Sequence, residues 1–564
     1  MRARIIFGLS CIWHQIHSTA EIRNSQATTQ RLIVRAAILT MLTAICVPWA
    51  FGQQLPLAGK GSGGAIGPSI VTFGDLPSIS ESNAQQNPRS PKPQTNAQVI
   101  RNVQPAPLQI RSHDTSHTQG RSRHHLQIKS AFSTYVEVDV AGATDGSHIL
   151  ASDGNGTLTI YDLSGNIIKQ ILKSDFWCGG STALPVCSSG GFDVDQRVVY
   201  DVGAKRWTMT ALWLFGSNAV ATDVIAVSQT SDPKLGWNLY QFPACGSFDN
   251  WDTSDQPHTG FSDQWIVLNS FCTAKNGIAG AGLAVFSKRD LYNGNSLMQN
   301  VNWFEFTDPF DGRSDNPVRT YGSKFGKRQY FTHADTDRSG FATITYSYLT
   351  GLVDQPIFFS SAETVTTGFQ AAPPPGFEIP VVDAPGCSNC IVSFSNSWIH
   401  SSGLFGSKPN GIWILSSLVM GDPHYLNATQ VINVATDIST HRSVALRLTD
   451  NQDGAGPLAS EIAMSLKRSG SGGEALVVYD DSENNFYPGL KAVLWNLEKN
   501  TIIDEATLQE GSLTPTVFPQ GRWVDFIDAI APIPGTSRLV VAGSLASPSA
   551  IDPQHATYWA QVSP

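Results

Sequence analysis

The sequence predicts an all-β fold, a β-propeller of seven blades, within a range of six to eight. Three observations carry this expectation. Between Asp195 and Phe242, short β-branched and aromatic runs are cut every few residues by Asp, Gly, Pro and Lys-Arg, the pattern of antiparallel strands joined by tight turns. A hairpin of the form strand-[Tyr/Trp]-[Asp/Asn]-turn-strand recurs at residues 159–168 and 494–503, with looser copies at 199–207 and 284–291. Its spacing is nearly even: Asp162 and Asp201 lie 39 residues apart, Tyr240 a further 39 and Ser287 a further 47, close to the repeat of about 40 to 50 residues for a four-stranded blade. Residues 130–564, divided into blades of about 45 to 60 residues with their loops, give seven to nine. The competing architecture is a pair of β-sandwiches. The even spacing speaks against it, as does the lack of an interdomain linker, and residues 371–377 read as a long loop between blades.

Ahead of the strands lie two other segments. Residues 36–50 are apolar, follow Arg31 and Arg35, and end in Ala50-Phe51-Gly52, with small residues at the −3 and −1 positions of a cleavage site. This reads as an export signal over 1–52 with Gln53 first in the mature chain. The run is short for a membrane span and contains Pro48, and no second apolar span follows, so no membrane crossing is expected after cleavage. Residues 53–129 are rich in Gln, Asn, Ser, Pro and Gly with little apolar periodicity, the composition of a disordered spacer. The propeller domain is placed at 130–564.

Composition agrees with an exported all-β protein. Of 564 residues 41% are apolar and only 15% charged, with 49 Gly, 32 Pro and 14 Trp. A net charge of −9 argues against nucleic acid as a partner, because phosphate binding needs a clustered positive surface. Beyond Cys11 and Cys46 six cysteines remain, an even number suited to disulfides in an oxidising compartment. Six allow 15 connectivities. Pairing of sequence neighbours joins Cys178 to Cys187, Cys245 to Cys272 and Cys387 to Cys390. The last pair also resembles half a zinc site, but no second CxxC accompanies it.

Candidate sites are few. Asp335, Asp337 and Ser339, followed by Gly340, match the first half of a calcium loop, yet Tyr346 stands where the bidentate carboxylate belongs. Residues 153–157 are a second partial match, and in both places Asp, Asn and Gly also serve as turn formers. No cofactor is certain from these patterns, and calcium is the candidate they suggest. The run 231–237 is reminiscent of the Asp-box turn of sialidase blades, itself structural. Trp207, Trp237, Trp251, Trp265 and Trp523 offer flat faces on which a sugar could stack beside Asp263, Arg522 and Asp525, although most Trp in such a chain is core. Charged residues at strand ends, such as Asp195, Asp201 and Arg206, serve either a ligand or the bonds that lock blades together. No phosphate loop, HExxH or GxSxG motif occurs.

The stretch Asp195-Gln-Arg-Val-Val-Tyr-Asp201 with Arg206-Trp207 resembles a group of exported, propeller-like proteins. The likeness extends to Val227-Ser-Gln-Thr-Ser-Asp-Pro233, to residues 261–271 and 286–294, and to Arg522-Trp-Val-Asp-Phe526. It implies export and a propeller, and no particular activity. Together these readings describe a monomeric, secreted, periplasmic or cell-surface propeller that binds a glycan or another protein without catalysis. The alternative is a glycan-processing hydrolase with its site at the propeller mouth.

Overall fold

In a computed structural model the described residues are 57–79 and 126–563, apart from 64, 135–139, 153–155, 215–221, 244, 246–250, 275–278, 297–300, 308–315, 322–326, 338, 372–380, 385–386, 393–398, 407–410, 426–427, 454, 467–472, 484–485, 513–522, 525–526 and 547–554. They belong to one unit, 55–564. The export signal expected over 1–52 lies outside the described residues.

Two strands open the description, β1 (Leu57–Gly63) and β2 (Ile66–Thr72), with a 3₁₀ turn at Phe73–Asp75. After β3 (Gln127–Thr134) the chain settles into antiparallel meanders. The first is β4 (Val140–Thr144), β5 (His148–Ser152), β6 (Thr157–Asp162) and β7 (Ile167–Leu172), which runs into helix α1 (Lys173–Cys178). Next come β8 (Phe192–Asp201), β9 (Arg206–Leu214), β10 (Thr222–Ser228) and β11 (Gly236–Pro243). They are followed by β12 (Trp251–Phe261), β13 (Trp265–Ala274), β14 (Ala279–Ser287), helix α2 (Lys288–Tyr292) and β15 (Val301–Thr307). The succeeding inner strand is split into β16 (Asn316–Pro317) and β17 (Arg319–Tyr321), then continues through β18 (Gln329–Thr336), β19 (Phe341–Leu352) and β20 (Gln355–Gln370).

A hairpin of β21 (Val381–Ala384) and β22 (Cys387–Val392) precedes the meander β23 (Ile399–Gly406), β24 (Ile412–Gly421), β25 (Thr429–Asp437) and β26 (Arg442–Leu448). Then come β27 (Gly456–Met464), β28 (Glu474–Glu483), β29 (Phe486–Asn496) and β30 (Thr501–Gln509). The short β31 (Trp523–Val524) pairs with β22. Finally β32 (Ile527–Pro532), β33 (Leu539–Ala546) and β34 (His555–Ser563) pair in turn, and β3 adds to β34 as their fourth strand.

The first strand of each meander lies against the first strand of the next: β4 on β8, β8 on β12, β12 on β16 and β17, then β23, β27, β32 and back to β4. Where these inner strands touch they run parallel, as in Phe261 opposite Arg319, Arg319–Tyr321 along Gly403–Phe405, and Ile527 opposite Val140. Antiparallel meanders set side by side in this way form a β-propeller. The core lies between the meanders. Trp177, Trp207 and Trp237 fill one such layer, and Trp265, Phe304 and Phe331 another. Two disulfides hold loops against it, Cys178–Cys187 and Cys245–Cys272, as neighbour pairing expected. Cys387 and Cys390 lie on β22.

Three details differ from the sequence reading. Part of the expected spacer is structured: β2 pairs with the outer strand β11, and β1 with the outer strand β15. The segment lacks the apolar periodicity of a core strand because existing sheets supply its partners, and it buries Val71 and Phe73 among their side chains. Its last residues begin β3, so the strands start at Gln127. The turn expected near Ser287 is the cap of α2, where Ser287 Oγ accepts from the Asp290 amide. Tyr240 sits in the middle of β11 and opens no turn.

Candidate functional site

The tryptophans singled out by sequence go to the interior. Trp207, Trp237 and Trp265 are fully buried. Each indole N–H donates to a backbone carbonyl: Trp207 to Ser231 at 2.8 Å, Trp237 to Pro233 at 2.8 Å and Trp265 to Val353 at 3.1 Å. Their faces are covered as well, Trp207 by Tyr200 at 4.9 Å between ring centroids and Trp237 by the edge of Phe176 at 5.4 Å. Buried Trp with a satisfied N–H is core, and none of these three offers a surface to a ligand. Trp251 lies on β12 and Trp523 on β31, while Asp263 is exposed in the turn between β12 and β13. Arg522 and Asp525 lie outside the described residues.

The candidate calcium loop is the turn between β18 and β19. Asp337 Oδ1 accepts from the amides of Ser339 at 2.8 Å and Phe341 at 3.0 Å, and Asp335 Oδ1 from the amide of Thr336 at 2.7 Å. Those carboxylates cap backbone, the turn-forming use of Asp. Among the described residues no group of three or more His, Cys, Asp or Glu is placed to hold a metal ion. Asp153 and Asn155 lie outside them. The Asp-box-like run 231–237 is likewise a hairpin turn, with Asp232 Oδ1 accepting from the Lys234 amide at 3.0 Å.

Asp201 bonds one meander to the next. It is 1% exposed at the end of β8 and forms an ion pair with the ammonium of Lys288, 8% exposed, at the start of α2. Tyr292 donates its hydroxyl to Asp201 at 2.9 Å, and Lys288 donates to the Ser262 carbonyl at 2.6 Å. Burial and the Asp201 charge push the Tyr292 phenol well above its ordinary range. In the neighbouring layer Asp223 on β10 accepts from Ser270 Oγ at 2.9 Å, and burial raises it to about 7. Asp201, Asp223 and Ser270 are buried, Tyr292 is half-buried, and their bonds join neighbouring blades.

The aromatic surface that does meet solvent was not singled out by sequence. Tyr330, Tyr348 and Phe359 occupy opposed positions on β18, β19 and β20. The Tyr330 and Tyr348 rings are 6.0 Å apart; Tyr348 and Phe359 are 5.1 Å apart with planes within 20°. The Arg328 guanidinium lies 4.4 Å from the centre of the Tyr348 ring. A hydrogen bond with Tyr330 raises the guanidinium above its ordinary range. Near-parallel rings this close must overlap, so Arg328, Tyr348 and Phe359 form a layered stack standing on the sheet. β20 ends its sheet, and Phe359 is 44% exposed, with Ile357 at 53% and Leu352 at 64% beside it on the same hairpin. Lys327 and Arg328 put two adjacent cations here, on a chain of net charge −9. Such a surface can stack on a flat apolar face and hold an anionic or hydrogen-bonding group beside it.

No family model and no curated protein matches this chain. Among solved structures it is similar to the WD40 domain of SCAP from fission yeast, at 9% identity and a TM-score of 0.31, covering 78% of this chain and 98% of that one. It is also similar to BamB from Moraxella catarrhalis, at 11% identity and a TM-score of 0.30, covering 77% and 97%. A third likeness is to Trypanosoma rangeli sialidase in complex with sialic acid, at 8% and 0.31, covering 76% of this chain and 59% of that one. Scores of this size speak to no shared activity.

Proposed function

We propose that the chain is an exported, seven-bladed propeller that binds a glycan or a protein ligand, without catalysis, at or outside the cell surface. The observation that carries this reading is the exposed stack of Arg328, Tyr348 and Phe359 with Ile357 beside it. It pairs flat apolar area with a cation, which is the chemistry of recognition. The count of seven is supported by the closed succession of inner strands, β16 and β17 taken as one. Export is supported by two disulfides between near sequence neighbours, a bond that persists in oxidising compartments. No helix among the described residues is long and apolar enough to cross a membrane.

The test is a broad glycan array probed with the purified protein and with Tyr348→Ala and Phe359→Ala, bound glycans then being examined by mass spectrometry. Binding that both variants lose, with no new products, supports the reading. Shortened glycans refute the non-catalytic assignment. A protein that binds glycans equally well in all three forms refutes the site. No glycan binding by the wild type directs the same variants to a pull-down from the surrounding envelope or medium. Wild-type partners missing from both variants there support the protein-ligand arm, and none missing refutes the site.

A further inference from the structure

The strap made by β1, β2 and the turn at Phe73–Asp75 is held by more than the outer strands it pairs with. Ile70 of β2 stands opposite Asn238 of β11, and both of its backbone polar groups bond to Ser181. The Ile70 amide donates to Ser181 Oγ at 3.2 Å, and the Ile70 carbonyl accepts from the Ser181 amide at 2.8 Å. Ser181 belongs to the loop that Cys178–Cys187 closes. A Cβ on Gly180 would collide with Ser69 Oγ, so glycine is what lets this loop lie against β2. Phe176, in the helix that leads to Cys178, packs on Phe73 of the strap at 5.9 Å and on Trp237 at 5.4 Å. β2 is thus gripped along both edges, by β11 on one side and by the disulfide loop on the other.

We propose that Cys178–Cys187 is a redox-sensitive clasp on this strap, and that its reduction by a dithiol frees residues 66–74 from β11. The two disulfides differ in access. Cys245 is 2% exposed and Cys272 0%, whereas Cys178 and Cys187 are only half-buried. Thiol–disulfide exchange depends on access, so the Cys178–Cys187 bond is the one that opens first. One thiolate of the reductant bonds to a sulfur of the pair and the other sulfur leaves as a thiolate. The second thiol of the reductant then displaces the first, so the dithiol is oxidised to its own disulfide and the protein, gaining two electrons and two protons, keeps two thiols. With the bond cut, Ser181 hangs on Gly179 and Gly180, the residue type with the most backbone freedom to regain. The far limb of the loop stays on β11, because the Val186 amide donates to Gln241 Oε1 at 2.9 Å. The release is therefore confined to the strap, and it leaves the outer edge of β11 as an unpaired strand acceptor that the closed clasp covers.

The experiment is hydrogen exchange of the full chain, read by mass spectrometry on its peptides, before and after treatment with dithiothreitol. Alkylation of the same samples reports which cysteines have opened. A variant carrying Cys178→Ser and Cys187→Ser together gives the open clasp without reductant. The two cysteines are 9 residues apart, and closing a loop of that size shifts a local equilibrium by about tenfold to a hundredfold. Peptides covering 66–74, which include the amides that donate to Ser181 Oγ and to the Lys234 carbonyl, should exchange at least about tenfold faster in the reduced wild type and in the double variant. β24 and β25 should exchange as slowly as before. A strap that exchanges equally fast in oxidised and reduced protein overturns the proposal. So does alkylation showing that Cys245–Cys272 opens while Cys178–Cys187 holds. A rise shared by β24 and β25 overturns it too, because the whole fold has then loosened. Should the double variant fail to fold, the dithiol-treated wild type decides.

Discussion

Removing Lys288 tests whether the Asp201 junction is structural. In Lys288→Met the Met side chain fills most of the Lys stem's volume and deletes only the charge. Asp201 keeps the Tyr292 hydroxyl at 2.9 Å and the Ala204 amide at 3.0 Å, but its carboxylate, buried to 98%, loses its ammonium partner. Breaking one side of a buried pair costs about 3–5 kcal/mol. The two surviving donors place this case at the lower end, near 3 kcal/mol. Urea unfolding at pH 7 reads the loss. Asp201→Asn closes a double-mutant cycle, and the double variant should recover about 1–3 kcal/mol relative to additivity, because the uncompensated charge is then gone. A single-variant loss below about 1 kcal/mol, or additive losses, would refute the buried-lock account.

Three further outcomes are expected. Cys245–Cys272 closes a longer loop than Cys178–Cys187, 27 residues against 9. Chain entropy assigns the two about 3.5 and 2.6 kcal/mol, so the Ser variants should rank in that order by chemical denaturation, and the reverse order sinks the argument. Asp337→Ala should cost about 1–2 kcal/mol through two lost amide partners, and excess chelator should leave the wild-type melting temperature unchanged; a lower melt in chelator restores the calcium reading. Trp237→Ala should lose about 3–5 kcal/mol of stability as a core truncation, and an unaltered melt with lost ligand binding would return that indole to the binding surface.

Much of the blade grammar was readable in the chain. The hairpins at 159–168 and 494–503 are β6–β7 and β29–β30, and the one at 199–207 is β8–β9. Each has Asp, Asn or Gly between alternating strands, and local turn chemistry sets the register there. Other features depend on partners distant in sequence. β1 and β2 have the composition of a spacer because the edges of β11 and β15 complete them. The break between β16 and β17 follows from Pro317, yet the pairing of β17 with β12 and β23 cannot be read locally. The aromatic stack was missed because its members are 20 and 11 residues apart, brought together only by the register of β18, β19 and β20. The tryptophans carried no such signal, because Trp207, Trp237 and Trp265 are core. The signal that could have found the stack is the alternation placing Arg328 and Tyr330 on one face, beside a local run of cations.

The pairing of β3 with β34 has a consequence for how the protein comes into being. These strands are partners in one sheet although more than four hundred residues of chain separate them. Until β34 has been made, β3 has no place in the structure, and β32 and β33 lack their outer strands. The ring can be sealed only after the intervening blades exist, an event of very high contact order and hence slow. A chain arranged in this way stays open through synthesis, and through any passage across a membrane, then closes in one late step. Deleting the β34 residues should consequently do more than trim an edge: it would leave a ring of otherwise complete blades unable to shut.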